Sequence, residues 1–160
     1  SRSQNADNTY SPDGTVRTEG FRLGAAGRLA RGWRVYGGYT RLDARIVAAI
    51  APGTQGKTPL NTPRDSATLW TTYEVGHHLE IGGGAAYLSR RYLTNLDTVQ
   101  VPAYARVDAT LAWRRPRYDL RLNVFNLLDA RYYDALIPSD GGRAVPGAGR
   151  TAMISLVYRP

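Results

Sequence analysis

Hydrophobic and polar residues alternate with a period of two along most of the chain, the pattern of strands that bury one face and wet the other. From Phe21 to Leu29 the odd positions are Phe21, Leu23, Ala25, Gly27 and Leu29, with Arg22 and Arg28 between them. After the Arg31-Gly32 turn, Trp33, Val35, Gly37 and Tyr39 alternate with Arg34, Tyr36, Gly38 and Thr40, as a hairpin partner would. The alternation returns from Ala67 to Val75, Leu79 to Tyr87, Ala105 to Trp113, Tyr118 to Val124 and Ala152 to Tyr158. In every run one parity is free of charge, while the other carries residues such as Glu80, Arg106, Asp108, Arg114 and Arg121. The pattern predicts an all-β antiparallel meander of about seven strands, near residues 20–30, 33–45, 66–75, 79–90, 104–114, 118–127 and 150–159. Residues 1–19 read as an external loop or the start of a strand.

The connections also alternate. Arg31-Gly32, Gly76 to His78 and Arg115 to Arg117 are tight turns, whereas Ile46 to Asp65, Arg91 to Tyr104 and Leu128 to Arg150 are long. Short connections fall on one rim and long ones on the other. A barrel that crosses a bilayer has short turns on one side and long loops on the other by construction, and its tilted strands need about nine to eleven residues.

Composition sharpens this picture. Eleven Tyr and three Trp stand against two Phe, an excess of aromatics with one polar end. Trp33, Tyr73, Trp113, Tyr118 and Tyr158 all lie near short turns on charge-free faces, and Tyr39 and Tyr87 sit further up their strands on the same face. Two aromatic girdles bounding an apolar band of ~25 Å account for that placement. No apolar run approaches the roughly eighteen residues of a membrane-spanning helix, which leaves a barrel open. The length suits one ordinary domain, but seven strands in sequence cannot close without a parallel pair, so the chain reads as a piece of a larger barrel.

The formal net charge is +8, and there is no cysteine, which excludes disulfides, thiolate metal sites and a cysteine nucleophile. Nucleic-acid binding is disfavoured because arginines and aromatics fall mostly on opposite faces of the same strands, whereas a stacking platform needs them together. Arg22, Arg28, Arg34, Arg106, Asp108, Arg114 and Arg121 read as an inward-facing polar wall. His77 and His78 are adjacent at a turn and unsuited to chelate one ion, and Gly82-Gly83-Gly84 opens no helix and has no phosphate-loop Lys. No nucleophile–base or paired-carboxylate spacing marks an active site, so no catalytic residue is expected.

The stretches GYTRLDARI (Gly38 to Ile46), NTPRDSATLWTTYEV (Asn61 to Val75), VPAYARVDATLAWR (Val101 to Arg114), LNVFNLLDARYYD (Leu122 to Asp134) and the closing RTAMISLVYRP resemble the C-terminal barrel region of TonB-dependent siderophore receptors of the Gram-negative outer membrane. The resemblance implies part of a 22-stranded barrel, with the plug domain and the TonB-contacting segment outside this chain. It also implies binding of a ferric siderophore at external loops and its admission to the periplasm, with no permanently bound cofactor. Outer-membrane lipid and lipopolysaccharide, the plug, the TonB complex and the ferric siderophore are the implied partners; nucleic acid is not. Another cargo, such as cobalamin, haem or a glycan, and a non-transporting or porin-like barrel are the alternatives. A basic, Tyr-rich mouth suits an anionic ferric complex, which nominates Arg90, Arg91 and Tyr92 in the middle loop and Arg131, Tyr132, Tyr133 and Arg143 in the last, with Lys57 and Arg64 behind them. Pro160 stands where members of the family usually end in Phe, and Gly147-Ala148-Gly149-Arg150 replaces a Gly-Ala-Pro-Arg-like stretch.

Overall fold

The computed structural model describes residues 2–4, 10–12, 14–49, 51–137 and 143–159; Pro160 lies outside the described residues. Seven strands form one sheet: β3 (Gly14–Ala30), β4 (Trp33–Ala49), β5 (Asp65–Val75), β6 (Leu79–Leu88), β9 (Tyr104–Arg114), β10 (Tyr118–Phe125) and β13 (Thr151–Tyr158). Their order, β13-β10-β9-β6-β5-β4-β3, is a meander in which every neighbouring pair is antiparallel. Short two-stranded ribbons decorate it: β1 (Arg2–Gln4) with β2 (Tyr10–Pro12), β7 (Arg91–Tyr92) with β8 (Gln100–Val101), and β11 (Tyr133–Ile137) with β12 (Arg143–Pro146).

The register turns seven separate alternations into two continuous faces. Directly paired residues point the same way. Ala30, Trp33, Tyr73, Ile81, Leu111, Leu122 and Ile154 therefore form one apolar row across all seven strands. The matching row on the opposite face is Arg28, Arg34, Thr72, Gly82, Thr110, Asn123 and Met153. A one-residue slip in any strand would send its apolar side chains to the polar face, so patterning and register enforce each other.

Neither face is covered by another layer. Leu23, Leu69, Ile154 and Leu156 remain 63%, 56%, 72% and 68% exposed. The chain presents 11148 Å² of accessible surface, against roughly 7,900 Å² for a compact globular protein of this size. An apolar face this large and uninterrupted requires an apolar surrounding. Among the described residues, the buried apolar cluster is Leu93, Val101 and Leu136, with Ala144 packed against it, and all of these lie in the long connections.

β3 starts at Gly14 and β4 ends at Ala49, beyond the expected 20–30 and 33–45, and past Tyr39 the two strands pair Phe21 with Arg41, Glu19 with Asp43 and Arg17 with Arg45. In β4 the alternation continues past Tyr39 with its phase reversed: Arg41, Asp43 and Arg45 alternate with Leu42, Ala44 and Ile46, and Ala44 and Ile46 are buried. On the same face that carries Tyr39, the surface changes there from apolar to charged. Arg17 pairs with Glu19, and Arg45 donates to Asp43 at 3.0 Å.

Candidate functional site

The three long connections fold onto one another. In the first, Ile46 N–H donates to the Lys57 carbonyl (2.9 Å) and Gly56 N–H to the Ile46 carbonyl (2.8 Å), so this loop lies back along β4. The β7–β8 ribbon carries the second. Asn61, in the left-handed conformation (φ 54°), donates its N–H to the Tyr92 carbonyl at 2.9 Å. Leu60 N–H donates to Asn95 Oδ1 (2.7 Å) and Thr58 N–H to Asp97 Oδ2 (3.3 Å). The third connection joins through the apolar cluster, in which Leu136 of β11 meets Leu93 and Val101.

These contacts divide the nominated residues into two clefts. Arg64, Arg90 and Tyr92 line one with Thr58, Thr62 and Asp97, around a cavity of about 160 Å³. Arg131, Tyr132 and Tyr133 line the other with Asp129, Pro146 and Gly147, around about 410 Å³. Arg90 and Arg131 are exposed. Lys57 is half-buried and lines neither cleft, and Arg143 is exposed at the start of β12. Arg91 differs from an open-loop cation: it is 4% exposed, and its guanidinium donates to Asn61 Oδ1 (3.0 Å) and to the carbonyls of Tyr133 (2.6 Å) and Asp134 (3.4 Å). Alternation in β7 turns Arg91 away from the cleft that its neighbours Arg90 and Tyr92 line.

Tyr132 is also buried, and it ends a network that begins in the sheet. Its ring stacks on Tyr104 with centroids 4.5 Å apart, and Arg106 reaches its hydroxyl at 3.4 Å. Arg106 pairs with Asp108 (3.0 Å), whose other oxygen accepts the N–H of Asn126 (2.8 Å). Asn126 is 1% exposed, with φ 52°. Its Nδ2 donates to the carbonyls of Ala130 (2.9 Å) and Ala148 (3.0 Å), and its Oδ1 accepts Ala130 N–H (2.9 Å). Asp129 (φ 53°) accepts Arg150 N–H at 2.8 Å. The Asn-Leu-Leu-Asp turn thus ties the start of the last loop to its end. Sequence reasoning did not find Asn61, Asn95 or Tyr104, whose partners are remote in the chain.

The polar face carries a chain of ion pairs near the short turns. Arg34 meets Glu74 (2.9 Å) and Glu80 (2.7 Å), Arg114 meets Glu80 (3.0 Å) and approaches Asp119 (3.9 Å), and Arg159 approaches Asp119 (3.7 Å). Among the described residues, Arg22, Arg28 and Arg121 have no ion-pair partner. Gly84 lies under Trp70: a Cβ there would come within 2.5 Å of the indole, so close ring packing is one use of the glycine run. His77 and His78 are exposed at their turn, and no group of three or more His, Asp or Glu among the described residues is suited to a metal ion.

On the apolar face the nominated aromatics fall into register. Trp33 pairs with Tyr73 and Tyr118 with Tyr158, while Trp113 packs edge-on against Tyr118 with centroids 5.4 Å apart. Tyr39 and Tyr87 flank Ala67 in one row, six positions along β4 and β6 from the Trp33–Tyr73–Ile81 row, about 20 Å along the strand. Arg41 and Asp65 lie just beyond, and the Tyr39 hydroxyl bonds Asp65 at 2.5 Å.

A meander with one continuous apolar face, aromatic rows, long loops gathered on one rim and an ion-paired opposite face defines a segment of a membrane-spanning β-barrel. Comparison with known proteins gives the family: the model described as TonB dependent receptor-like, beta-barrel, matches residues 1–127, and the chain belongs to that family, placing it in the Gram-negative outer membrane. It is 38% identical to the probable TonB-dependent receptor BfrD of Bordetella pertussis, over 94% of this chain and 21% of that protein. It is 35% identical to the catecholate siderophore receptor Fiu of Escherichia coli, over 95% of this chain and 21% of that one. The crystal structure of the siderophore receptor PiuA from Acinetobacter baumannii superposes with a TM-score of 0.85 and 33% identity, over 98% of this chain and 24% of that chain. The chain therefore spans about a fifth of the length of the curated relatives it matches.

Proposed function

We propose that this chain forms the last seven strands of an outer-membrane receptor that binds a ferric siderophore at its long loops and passes it to the periplasm. The observation that carries the reading is the gathering of Arg64, Arg90 and Tyr92 in one cleft and Arg131, Tyr132 and Tyr133 in the other, on the long-loop rim. The relationship to a catecholate siderophore receptor supports it. A ferric catecholate complex carries negative charge, because three doubly deprotonated catechols outweigh Fe3+, and guanidinium groups hold it through charge-assisted hydrogen bonds while aromatic rings hold it by contact. Arg90, Tyr92, Arg131 and Tyr133 are the contact residues in this reading, and Arg143 stands on the approach. Arg91 and Tyr132 act from behind the surface.

In the same reading the row from Ala30 to Ile154 faces lipid, the aromatic rows mark its two interfaces, and the charged residues beyond Tyr39 meet lipopolysaccharide. The polar face lines the lumen. Arg34 and Arg114 are neutralised within the wall, whereas Arg22, Arg28 and Arg121 stand ready for acidic groups of a plug domain, through which the TonB complex would act. The test is growth of an iron-starved strain on defined ferric siderophores, with and without the whole receptor. Growth on at least one siderophore should depend on the receptor, and unchanged growth on all of them overturns the transport reading.

A further inference from the structure

From the placement of Arg91 we infer that it is the positioning residue that holds the two loop clefts at a fixed separation, so that a single ligand engages both. The inference rests on the siderophore-receptor reading for the identity of that ligand.

Three loops meet at this one side chain. Asn61 belongs to the first long connection, Arg91 to the second, and Tyr133 and Asp134 to the third. Two of the three acceptors are main-chain carbonyls, so Arg91 fixes the backbone of the last loop and not merely a rotamer. The acceptor side is itself held. Asn61 of the first connection is fastened to the Tyr92 carbonyl of the second, and the Leu93–Val101–Leu136 cluster stitches the second connection to the third with apolar contact. A guanidinium suits this task because its planar fork donates in several fixed directions at once, which a lysine ammonium cannot reproduce on the same acceptors.

The flanking residues turn that rigidity into recognition. Arg90 and Tyr92, on either side of Arg91 in sequence, line the first cleft. Tyr133, whose carbonyl Arg91 holds at 2.6 Å, lines the second. Releasing Arg91 would leave every contact side chain in place chemically but free the two clefts to move relative to each other. A ligand spanning both would then have to supply the ordering itself and would bind more weakly.

The experiment uses the whole receptor with spin labels at Leu96 and Ile137, both part-exposed loop positions in a chain segment without cysteine. The receptor with native Arg91 should give one narrow distance distribution without ligand. Arg91→Gln and Arg91→Lys should each broaden it and weaken ferric-siderophore binding about tenfold, the size expected when one charged hydrogen-bonding group is lost, while the barrel keeps its folded electrophoretic mobility. Should both variants fail to assemble, Asn61→Ala loosens the same bridge from its other side and should broaden the distribution in part. A narrow distribution in the variants, or a broad one with unchanged affinity, overturns the inference. If the receptor with native Arg91 binds no ferric siderophore, the functional proposal fails, and the distance measurement still decides whether Arg91 locks the loops.

Discussion

The ring of Tyr132 fills the space that a side chain on residue 147 would need: a Cβ on Gly147 would lie 2.2 Å from two ring carbons. Tyr132 is also stacked on Tyr104, so the ring cannot retreat without giving up that contact. Gly147→Ala should therefore loosen the last loop at a cost of about 1–3 kcal/mol, typical of overpacking. Proteolytic nicking between Asp134 and Gly147 should accelerate while the folded mobility of the barrel is retained. Tyr132→Ala in the same background should relieve the clash and recover part of the loss, which separates sterics from any conformational demand of the glycine.

Asn126 carries a second, independent constraint on that loop. Its amide meets two carbonyls and one N–H at near-complete burial, in a backbone conformation that asparagine tolerates better than most residues. Asn126→Asp keeps the shape but replaces the amide donors with an acceptor facing the carbonyls of Ala130 and Ala148. A loss of about 2–4 kcal/mol is expected, from an unsatisfied buried pair and a buried charge. Asn126→Gly keeps the backbone conformation and loses the hydrogen bonds and the side-chain volume but buries no charge, so it should be the milder of the two. Thermal loss of folded mobility in the whole receptor orders the three proteins.

The strands were legible because each declares its own faces. The residues between Trp33 and Tyr39 identify their apolar and polar sides without reference to any other strand, and the seven strands then align because an odd-numbered slip would mix the faces and the tight turns fix the register that remains. The loops were not legible in this way. Arg91 looks like Arg90 in the sequence, and what distinguishes them is two backbone carbonyls some forty positions away, which no side-chain pattern records. The far end of β4 was legible too, since Arg41, Asp43 and Arg45 alternate with Leu42, Ala44 and Ile46, whereas the start of β3 was not, because Thr15 to Glu19 hold one apolar residue, Val16, and offer no alternation to follow.

Glu80 is the hinge of the ion-pair chain on the polar face, accepting from Arg34 through one oxygen and from Arg114 through the other, with only 11% of its side chain exposed. Glu80→Gln leaves two arginines converging on a neutral group. Both arginines are nearly half exposed, so water screens much of the penalty, and about 1–2 kcal/mol is expected instead of the larger cost of a fully buried broken pair. Glu74→Gln removes an exposed partner from Arg34 while Glu80 remains, and should cost less than about 0.5 kcal/mol. Equal effects of the two substitutions on the melting of the whole receptor would show that Glu80 has no special place in the chain.

The depth at which the apolar face ends can be read from two substitutions on one side of the sheet. Leu69 pairs with Gly37, between the Trp33–Tyr73 row and the Tyr39–Ala67–Tyr87 row, and is 56% exposed to whatever surrounds the barrel. Asp43 shares that face but lies beyond Tyr39, where Glu19 is its cross-strand neighbour. If hydrocarbon fills the space between the aromatic rows, Leu69→Arg should destabilise the receptor in phospholipid vesicles by about 2–4 kcal/mol, whereas Asp43→Arg should change stability by no more than about 1 kcal/mol. The penalty at Leu69 should shrink in short-chain lipids, because the long arginine side chain then reaches the interface more easily. A penalty that is the same at both positions, or insensitive to chain length, would place the membrane boundary elsewhere than at the Tyr39 row.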